Sequence, residues 1–158
     1  MCIRDSVRFA KSADVGGYEN GWHSDVSWRE CPSMGAVLHA IEVPPTGGDT
    51  LFSDMAAAYE GLDPDVRHRI DGLVAVNDFM QAFGHQVSGE ARDEMRATYP
   101  PVEHPLVRTH PETGAKLLYA NNFFTSHIVG LGAHESRELL ELPCRQAAQL
   151  EYQCRFPW

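Results

Sequence analysis

The stretch Asn20–Trp28, NGWHSDVSW, decides the predicted fold and its chemistry. Its polar and apolar residues alternate, which is typical of a β-strand, and on a strand His23 and Asp25 would project from the same face. An imidazole and a carboxylate on one face can bind a single metal ion. The alternative interpretation is a surface histidine beside an aspartate.

The sequence that follows predicts short strands and helices. We expect strands at 22–28, 35–43 and 49–53, the last two separated by the breaker PPTGG. Ser53 or Asp54 is predicted to cap a helix over 55–59, and Asp63-Pro64 to begin another that runs to about Gly72. The later predictions are a strand at 73–79, a helix at 90–97, a hairpin over 104–121 with its turn at 111–114, a helix at 133–150 that Pro143 should break or kink, and a strand that begins within 151–158.

Composition excludes several classes of protein. The 158 residues are 43% hydrophobic and 22% charged, as in a globular domain, and carry a net charge of −9, which argues against binding to nucleic acid or to an anionic membrane surface. No apolar stretch approaches the roughly 20 residues of a membrane span. The 4 cysteines show no Cys-x-x-Cys spacing, so we expect reduced thiols and a cytoplasmic protein.

Three ordered blocks of sequence carry a family resemblance. They are NGWHSDVSW (20–28), PPTGGDTLF (44–52) and HPLVRTHPETGAKLLYANNFFTSHIVG (104–130). Together they resemble the taurine dioxygenase family of Fe(II)- and 2-oxoglutarate-dependent oxygenases, which includes the aryloxyalkanoate dioxygenases. The resemblance runs from about Gly16 to Arg155. It implies a mainly β fold with helical insertions, a double-stranded β-helix (the cupin-like jelly roll), of which this chain holds a part.

The resemblance also implies roles for individual residues. His23 and Asp25 match the first two iron ligands. Thr50 matches the hydroxyl that binds the distal carboxylate of 2-oxoglutarate, a contact that a charge-assisted hydrogen bond would make short and oriented. Val26, Phe83 and Phe124 match positions in the substrate pocket, where apolar walls keep water away from the reaction.

The implied activity is hydroxylation of a small acidic organic substrate by dioxygen, coupled to decarboxylation of 2-oxoglutarate to succinate. The substrate would be taurine, a related sulfonate or an aryloxyalkanoate. Two alternatives stay open on the residues alone. They are a non-catalytic jelly-roll binding module and a hydrolytic protein that uses His23 and Asp25 to bind zinc.

Departures from the family pattern predict an incomplete domain. In the family, two further site residues follow a motif like EYQCRFPW (151–158). They are a histidine, the third iron ligand, and an arginine that binds the carboxylate of 2-oxoglutarate, and neither is present in this sequence. The second His-x-Glu pair, His110 and Glu112, flanks a proline and is predicted to form a turn. We interpret residues 1–6 as a leader foreign to the fold and 7–158 as the N-terminal and central part of one dioxygenase domain. Alone, we expect it to be inactive and to form homo-oligomers or aggregates through an uncovered sheet edge.

Overall fold

The computed structural model describes residues 21–158, so the predicted leader and Asn20 lie outside the described residues. The strands of the described part are β1 Thr50–Ser53, β2 Val74–Asn77, β3 Val102–Pro105, β4 Val107–Thr109, β5 Lys116–Leu118, β6 Thr125–Ile128 and β7 Gln153–Phe156. The α-helices are α1 Met55–Glu60, α2 Pro64–Ile70, α3 Phe79–Phe83, α4 Glu90–Thr98 and α5 Ala133–Ala147. Short 3-10 turns occupy Gly84–Gln86 and Leu150–Tyr152. None of these helices is both long and apolar enough to cross a bilayer.

The strands of residues 21–158 form three small antiparallel sheets. β2 is the centre of a three-stranded sheet between β3 and β6, and β4 pairs with β5 as a hairpin. β1 pairs with β7, with Thr50 opposite Phe156 and Ser53 opposite Gln153. The β1–β7 pair joins residues about 100 positions apart in sequence, so it brings the end of the described chain to the Thr50 segment.

The hydrophobic core lies between helices α1, α2 and α5 and the strands beside them. Its most deeply buried members come from α1, α2, β2, β5, β6 and the residue between β3 and β4: Ala58, Ile70, Ala75, Leu106, Leu118 and Ile128. Leu139 and Leu140 add the buried face of α5. The apolar faces of α1, α2 and α5 therefore pack against one shared core, as expected for amphipathic helices.

The predicted helix starts and the predicted hairpin are confirmed. Asp54 caps α1, with its carboxylate accepting hydrogen bonds from the amides of Ala56 and Ala57 at 3.0 Å each. Asp63 caps α2 in the same way, at 2.8 Å from the amide of Asp65. These short polar side chains satisfy amides that the first helical turn leaves without intrahelical partners.

Two predicted strands are wrong. Residues 21–24 are irregular and 25–28 form a turn, in which Val26 has a φ of 50°. Residues 35–43 are also irregular. Alternation predicts only which faces a strand would present, while a strand also needs a neighbour to satisfy its backbone groups, and neither segment has one among the described residues.

Two further boundaries differ from prediction. Phe79 begins α3 instead of ending β2, because Asp78 accepts a hydrogen bond from the amide of Met80 at 2.8 Å and caps a new helix. Pro143 does not break α5, which runs to Ala147. The proline ring is fully buried, and Leu139, Leu140 and Ala147 bury both halves of the helix, so tertiary packing offsets the lost backbone hydrogen bond.

Candidate metal centre

His23 and Asp25 lie side by side although their segment is not a strand. The His23 Nε2 atom is 3.4 Å from Asp25 Oδ1. The other ring nitrogen, Nδ1, is 2.8 Å from the carbonyl oxygen of Gly21. A carbonyl only accepts, so Nδ1 carries the proton and the Nε2 lone pair of the neutral ring faces the carboxylate. The backbone thereby sets the tautomer that can bind a metal ion.

The electrostatics of this pair suit a cation. When Nε2 is protonated it donates to Asp25, and this hydrogen bond raises the pKa of the His23 imidazole above its ordinary value, against a lowering effect of burial. The hydrogen bond to His23 lowers the pKa of the Asp25 carboxyl, which is therefore ionised near neutral pH. Both side chains are partly exposed, at 41% and 59%, so a metal ion from solvent can compete with the proton at Nε2.

An aromatic cluster walls one side of the pair. The Phe123 and Phe124 rings lie 5.5 and 6.3 Å from the His23 ring, centroid to centroid. Trp28 contacts Phe124 at 4.6 Å, and Phe83 lies 6.0 Å from Phe124. Phe124 is buried and Phe83 half-buried. Of the predicted pocket residues, Phe124 therefore lies beside His23, and Phe83 lies behind it in the same aromatic cluster.

Val26, the third predicted pocket residue, lies in the turn after Asp25 and is half-buried. A φ of 50° is rare for a β-branched side chain and costs on the order of 1–3 kcal/mol. The strained turn redirects the chain immediately after the two candidate ligands. It also brings Trp28 onto Phe124, whereas a strand would have pointed Trp28 away from the face of His23 and Asp25.

Thr50 is positioned by β1 rather than by contact with the histidine. Its Oγ1 accepts a hydrogen bond from the Trp158 indole at 2.9 Å. Beside it, Arg155 donates to the carboxylate of Asp49 at 3.0 Å. No hydrogen bond or ion pair joins Thr50 to His23 or Asp25 within residues 21–158. The structure therefore fixes the Thr50 hydroxyl at the start of β1 and leaves its predicted role a prediction.

A third metal ligand is not found within residues 21–158, where no group of three or more His, Cys, Asp and Glu side chains is arranged to bind a metal ion. His104 and His110 bond to groups outside the pair. His104 is buried against the carbonyl oxygen of Arg29, at 3.0 Å from its Nε2. His110 accepts from the amides of Glu112 and Thr113 within the hairpin turn, as a turn residue should.

Sequence reasoning missed Phe123 and Asn121. The Phe123 ring lies 5.5 Å from the His23 ring, nearer than the ring of the predicted pocket residue Phe124 at 6.3 Å. Asn121 is buried, and its side-chain oxygen accepts from the amides of Phe123 and Phe124 at 3.0 and 2.8 Å. The run Asn-Asn-Phe-Phe at 121–124 could have indicated this turn, because an asparagine side chain often accepts hydrogen bonds from the backbone amides two and three residues further along the chain.

An imidazole, a carboxylate and an aromatic wall together define a candidate non-haem metal centre. The model of the family described as "Taurine catabolism dioxygenase TauD, TfdA family" matches residues 4–158, and the chain belongs to this family. The chain is 37% identical over 145 residues to the alpha-ketoglutarate-dependent 2,4-dichlorophenoxyacetate dioxygenase of Cupriavidus pinatubonensis. This match covers 91% of this chain and 50% of that protein.

Solved structures show the same relationship. A taurine dioxygenase from Burkholderia xenovorans superposes with a TM-score of 0.74 at 37% identity, over 88% of this chain and 45% of that one. AAD-2 in complex with Mn(II) and N-oxalylglycine superposes with a TM-score of 0.73 at 35% identity, over 87% and 54%. These neighbours confirm the expected mainly β, jelly-roll fold with helical insertions. The chain spans about half the length of the curated relatives it matches.

Proposed function

We propose that this chain supplies two iron ligands of a dioxygenase and the threonine hydroxyl that binds its co-substrate, 2-oxoglutarate. The enzyme would hydroxylate a small acidic organic substrate and convert 2-oxoglutarate to succinate. The observation that carries the proposal is the donor pair itself. The Gly21 carbonyl fixes the proton of His23 at Nδ1, which leaves the Nε2 lone pair available 3.4 Å from Asp25 Oδ1.

The donor set fits Fe(II), because a neutral imidazole and a carboxylate are the ligand types of non-haem iron sites with open positions. Bound Fe(II) and 2-oxoglutarate would supply the chemistry that uses dioxygen and releases carbon dioxide. His23 and Asp25 would hold the ion, and the Thr50 hydroxyl would donate to a carboxylate of the co-substrate. Val26, Phe83 and Phe124 would form the apolar wall that orients the substrate and excludes water.

The substrate class is supported by the relatives' names, which specify 2,4-dichlorophenoxyacetate for one and taurine for another. Both molecules are small acids, so we assign this protein a taurine-like sulfonate or an aryloxyalkanoate. We place the protein in the cytoplasm, on the support of free thiols at Cys31, Cys144 and Cys154. A net charge of −9 supports a small-molecule role over one with nucleic acid or membranes.

Metal binding by the chain itself tests the assignment. Titration with Mn(II), followed by electron paramagnetic resonance, should show weak binding that Asp25→Ala or His23→Ala abolishes. The matched control is a second histidine–carboxylate pair, His134 and Glu138, on the exposed face of α5. Its nitrogen–oxygen distance is 3.3 Å. His134→Ala should leave Mn(II) binding unchanged.

Two results would contradict the proposal. Unchanged Mn(II) binding by Asp25→Ala would remove the ligand assignment. For the activity, residues 7–158 would be joined to the part of the Cupriavidus pinatubonensis relative that this chain does not match. If that chimera folds and binds Fe(II) yet forms no succinate from 2-oxoglutarate, the protein is a binding module and not an oxygenase.

A further inference from the structure

A buried histidine on the three-stranded sheet bonds the backbone just after the two candidate ligands. His104 lies in β3, opposite Ala75 of β2, and is only 6% exposed. Its Nε2 atom is 3.0 Å from the carbonyl oxygen of Arg29. A carbonyl only accepts, so Nε2 carries a proton and donates it. This bond joins the sheet to the segment that carries His23 and Asp25, across 75 positions of sequence.

The turn that follows Asp25 needs such a restraint, because its backbone is strained. Val26 has a φ of 50°, which a β-branched residue rarely adopts. A residue keeps such a conformation only where the surrounding structure holds the chain in place. The carbonyl of Val26 accepts a hydrogen bond from the amide of Arg29 at 3.0 Å, which closes the turn. The residue that closes the turn is therefore the one that His104 holds.

The His104 ring is itself fixed by its neighbours. The Tyr119 ring packs edge-on against it, with centroids 5.4 Å apart and planes at 90°. The Arg108 guanidinium lies over the Tyr119 ring, 4.5 Å from its centroid, in a cation–π contact. The amide of Tyr119 donates to the carbonyl of Leu106 at 2.8 Å. Because these contacts and burial restrict the imidazole, its donor is directed at a fixed point.

The turn has a second attachment at Trp28, which is of a different kind. The Trp28 ring lies 4.6 Å from the Phe124 ring and 5.3 Å from the Phe79 ring, centroid to centroid. Apolar contact of this kind is non-directional and holds a side chain. A hydrogen bond has a preferred distance and angle, and the bond from His104 holds the backbone itself. His104 is therefore better suited than the aromatic contacts to set the path of the turn.

We propose that His104 is a positioning residue for the candidate metal centre. Its hydrogen bond to the Arg29 carbonyl holds the strained turn, and the turn sets how His23 and Asp25 lie relative to each other. His104 would touch neither the metal nor its ligands and would act only through the backbone. The inference rests on the proposed metal-binding function. Its first two measurements need no metal, so the inference and the proposed function can fail separately.

Two substitutions separate the hydrogen bond from the packing of the ring. His104→Phe keeps an aromatic ring against Tyr119 but removes the donor. His104→Gln removes the ring but can place an amide N–H near the position of Nε2. If the hydrogen bond holds the turn, His104→Phe should disturb it and His104→Gln should largely restore it. A role in packing alone predicts the reverse order. His104→Leu is a second donor-free variant if phenylalanine does not fit.

Nuclear magnetic resonance of the metal-free 158-residue chain measures the turn directly. In His104→Phe the Arg29 amide should exchange with solvent about tenfold faster, because the turn opens more often. The His23 ring protons should change chemical shift, since the Phe123 ring lies 5.5 Å from the His23 ring. Titration of the same variants with Mn(II) should show about tenfold weaker binding for His104→Phe, as expected when the support of a metal ligand is lost. His104→Gln should stay near wild type in all three measurements.

Ser53→Ala is the matched control. It also removes a side-chain donor to a backbone carbonyl, that of Ala147 at 2.7 Å, but this bond joins β1 to α5. The control should lower the Tm and leave the Arg29 amide, the His23 signals and Mn(II) binding unchanged. A loss of stability in general is thereby distinguished from a loss of positioning.

Three outcomes would overturn the inference. The first is a folded donor-free variant with wild-type His23 signals. The second is wild-type Mn(II) affinity in a donor-free variant whose His23 signals have changed. The third is an effect of His104→Gln as large as that of His104→Phe, which would assign the role to the packing of the imidazole. Mn(II) binding that survives Asp25→Ala would instead overturn the proposed function, and the metal-free measurements would still decide whether His104 holds the turn.

Discussion

The hydroxyl of Thr50 accepts from the Trp158 indole at 2.9 Å, and a hydroxyl that accepts one hydrogen bond still has its own proton to donate. In the chimera described above, Thr50→Val keeps the volume but removes that donor. A hydrogen bond to a charged group contributes about 1.5–3 kcal/mol, so the KM for 2-oxoglutarate should rise roughly 10- to 150-fold. Thr50→Ser should have a milder effect, and the KM for the primary substrate should change much less.

Ser53 provides the control on the same strand. Its hydroxyl donates to the carbonyl oxygen of Ala147 at 2.7 Å, a contact between β1 and α5. Ser53→Ala should therefore lower stability without changing the KM for 2-oxoglutarate. If Thr50→Val also left that KM unaltered, Thr50 would be an ordinary strand residue that follows a turn.

Cys144 carries a second residue-scale prediction. Burial raises the pKa of its thiol to about 11, and Glu141 adds to the shift. The thiolate is the reactive form, and pH 8 lies well below that pKa, so folded Cys144 should react slowly with iodoacetamide. Cys31 and Cys154 are exposed and should react first, as mass spectrometry of the peptides would show. The rate at Cys144 should rise with pH and with urea. Equal labelling of all three at pH 8 would contradict its burial.

At the scale of elements, a buried hydrogen-bond network ties β2 and β6 to the aromatic wall. The Thr125 hydroxyl donates to the side-chain oxygen of Asn77 at 3.1 Å and accepts from the amide of Asn121 at 3.0 Å. Thr125→Val removes both bonds in a buried site and should lower the free energy of unfolding by about 1–3 kcal/mol in urea titrations. Asn121 holds Phe123 and Phe124, so the ring-current shifts of the His23 ring protons should also change.

Two variants complete this test. Thr125→Ser keeps the hydroxyl and should preserve the His23 signals. Thr98→Val removes an exposed hydroxyl that bonds only the Glu94 carbonyl within α4, at 2.8 Å, and should cost little. A Thr125→Val protein with unchanged stability and unchanged His23 shifts would show that the network does not position the aromatic wall.

Local signals made several elements predictable. Asp54 and Asp63 cap helices through bonds that span two or three residues, and the 111–114 turn closes a hairpin of near neighbours. Alternation also chose His23 and Asp25 correctly as neighbours, although a turn and not a strand brings them together. The irregular conformation of residues 35–43 could not be predicted, because the pairing of a strand depends on distant parts of the chain. The approach of Phe123 to His23 depends on the fold in the same way.

At the scale of the molecule, the buried core and the two candidate metal ligands belong to different parts of the chain. Every hydrophobic residue of the core lies at position 58 or later. In residues 21–49, Ser27 alone is fully buried, and His104 bonds the Arg29 carbonyl. We therefore expect the body that holds the core to fold without the ligand segment.

Limited proteolysis measures this division. Endoproteinase Glu-C should cut early after Glu30 and Glu42, which are exposed in irregular segments, and later after Glu103 and Glu141, which lie in β3 and α5. The product that starts at Val43 should still unfold cooperatively, with a Tm within about 3 °C of the intact chain, because it keeps every buried hydrophobic side chain of the described residues. Glu42→Gln should abolish the cut that gives this product. Loss of the cooperative transition after cleavage at Glu42 would mean that residues 21–42 stabilise the core.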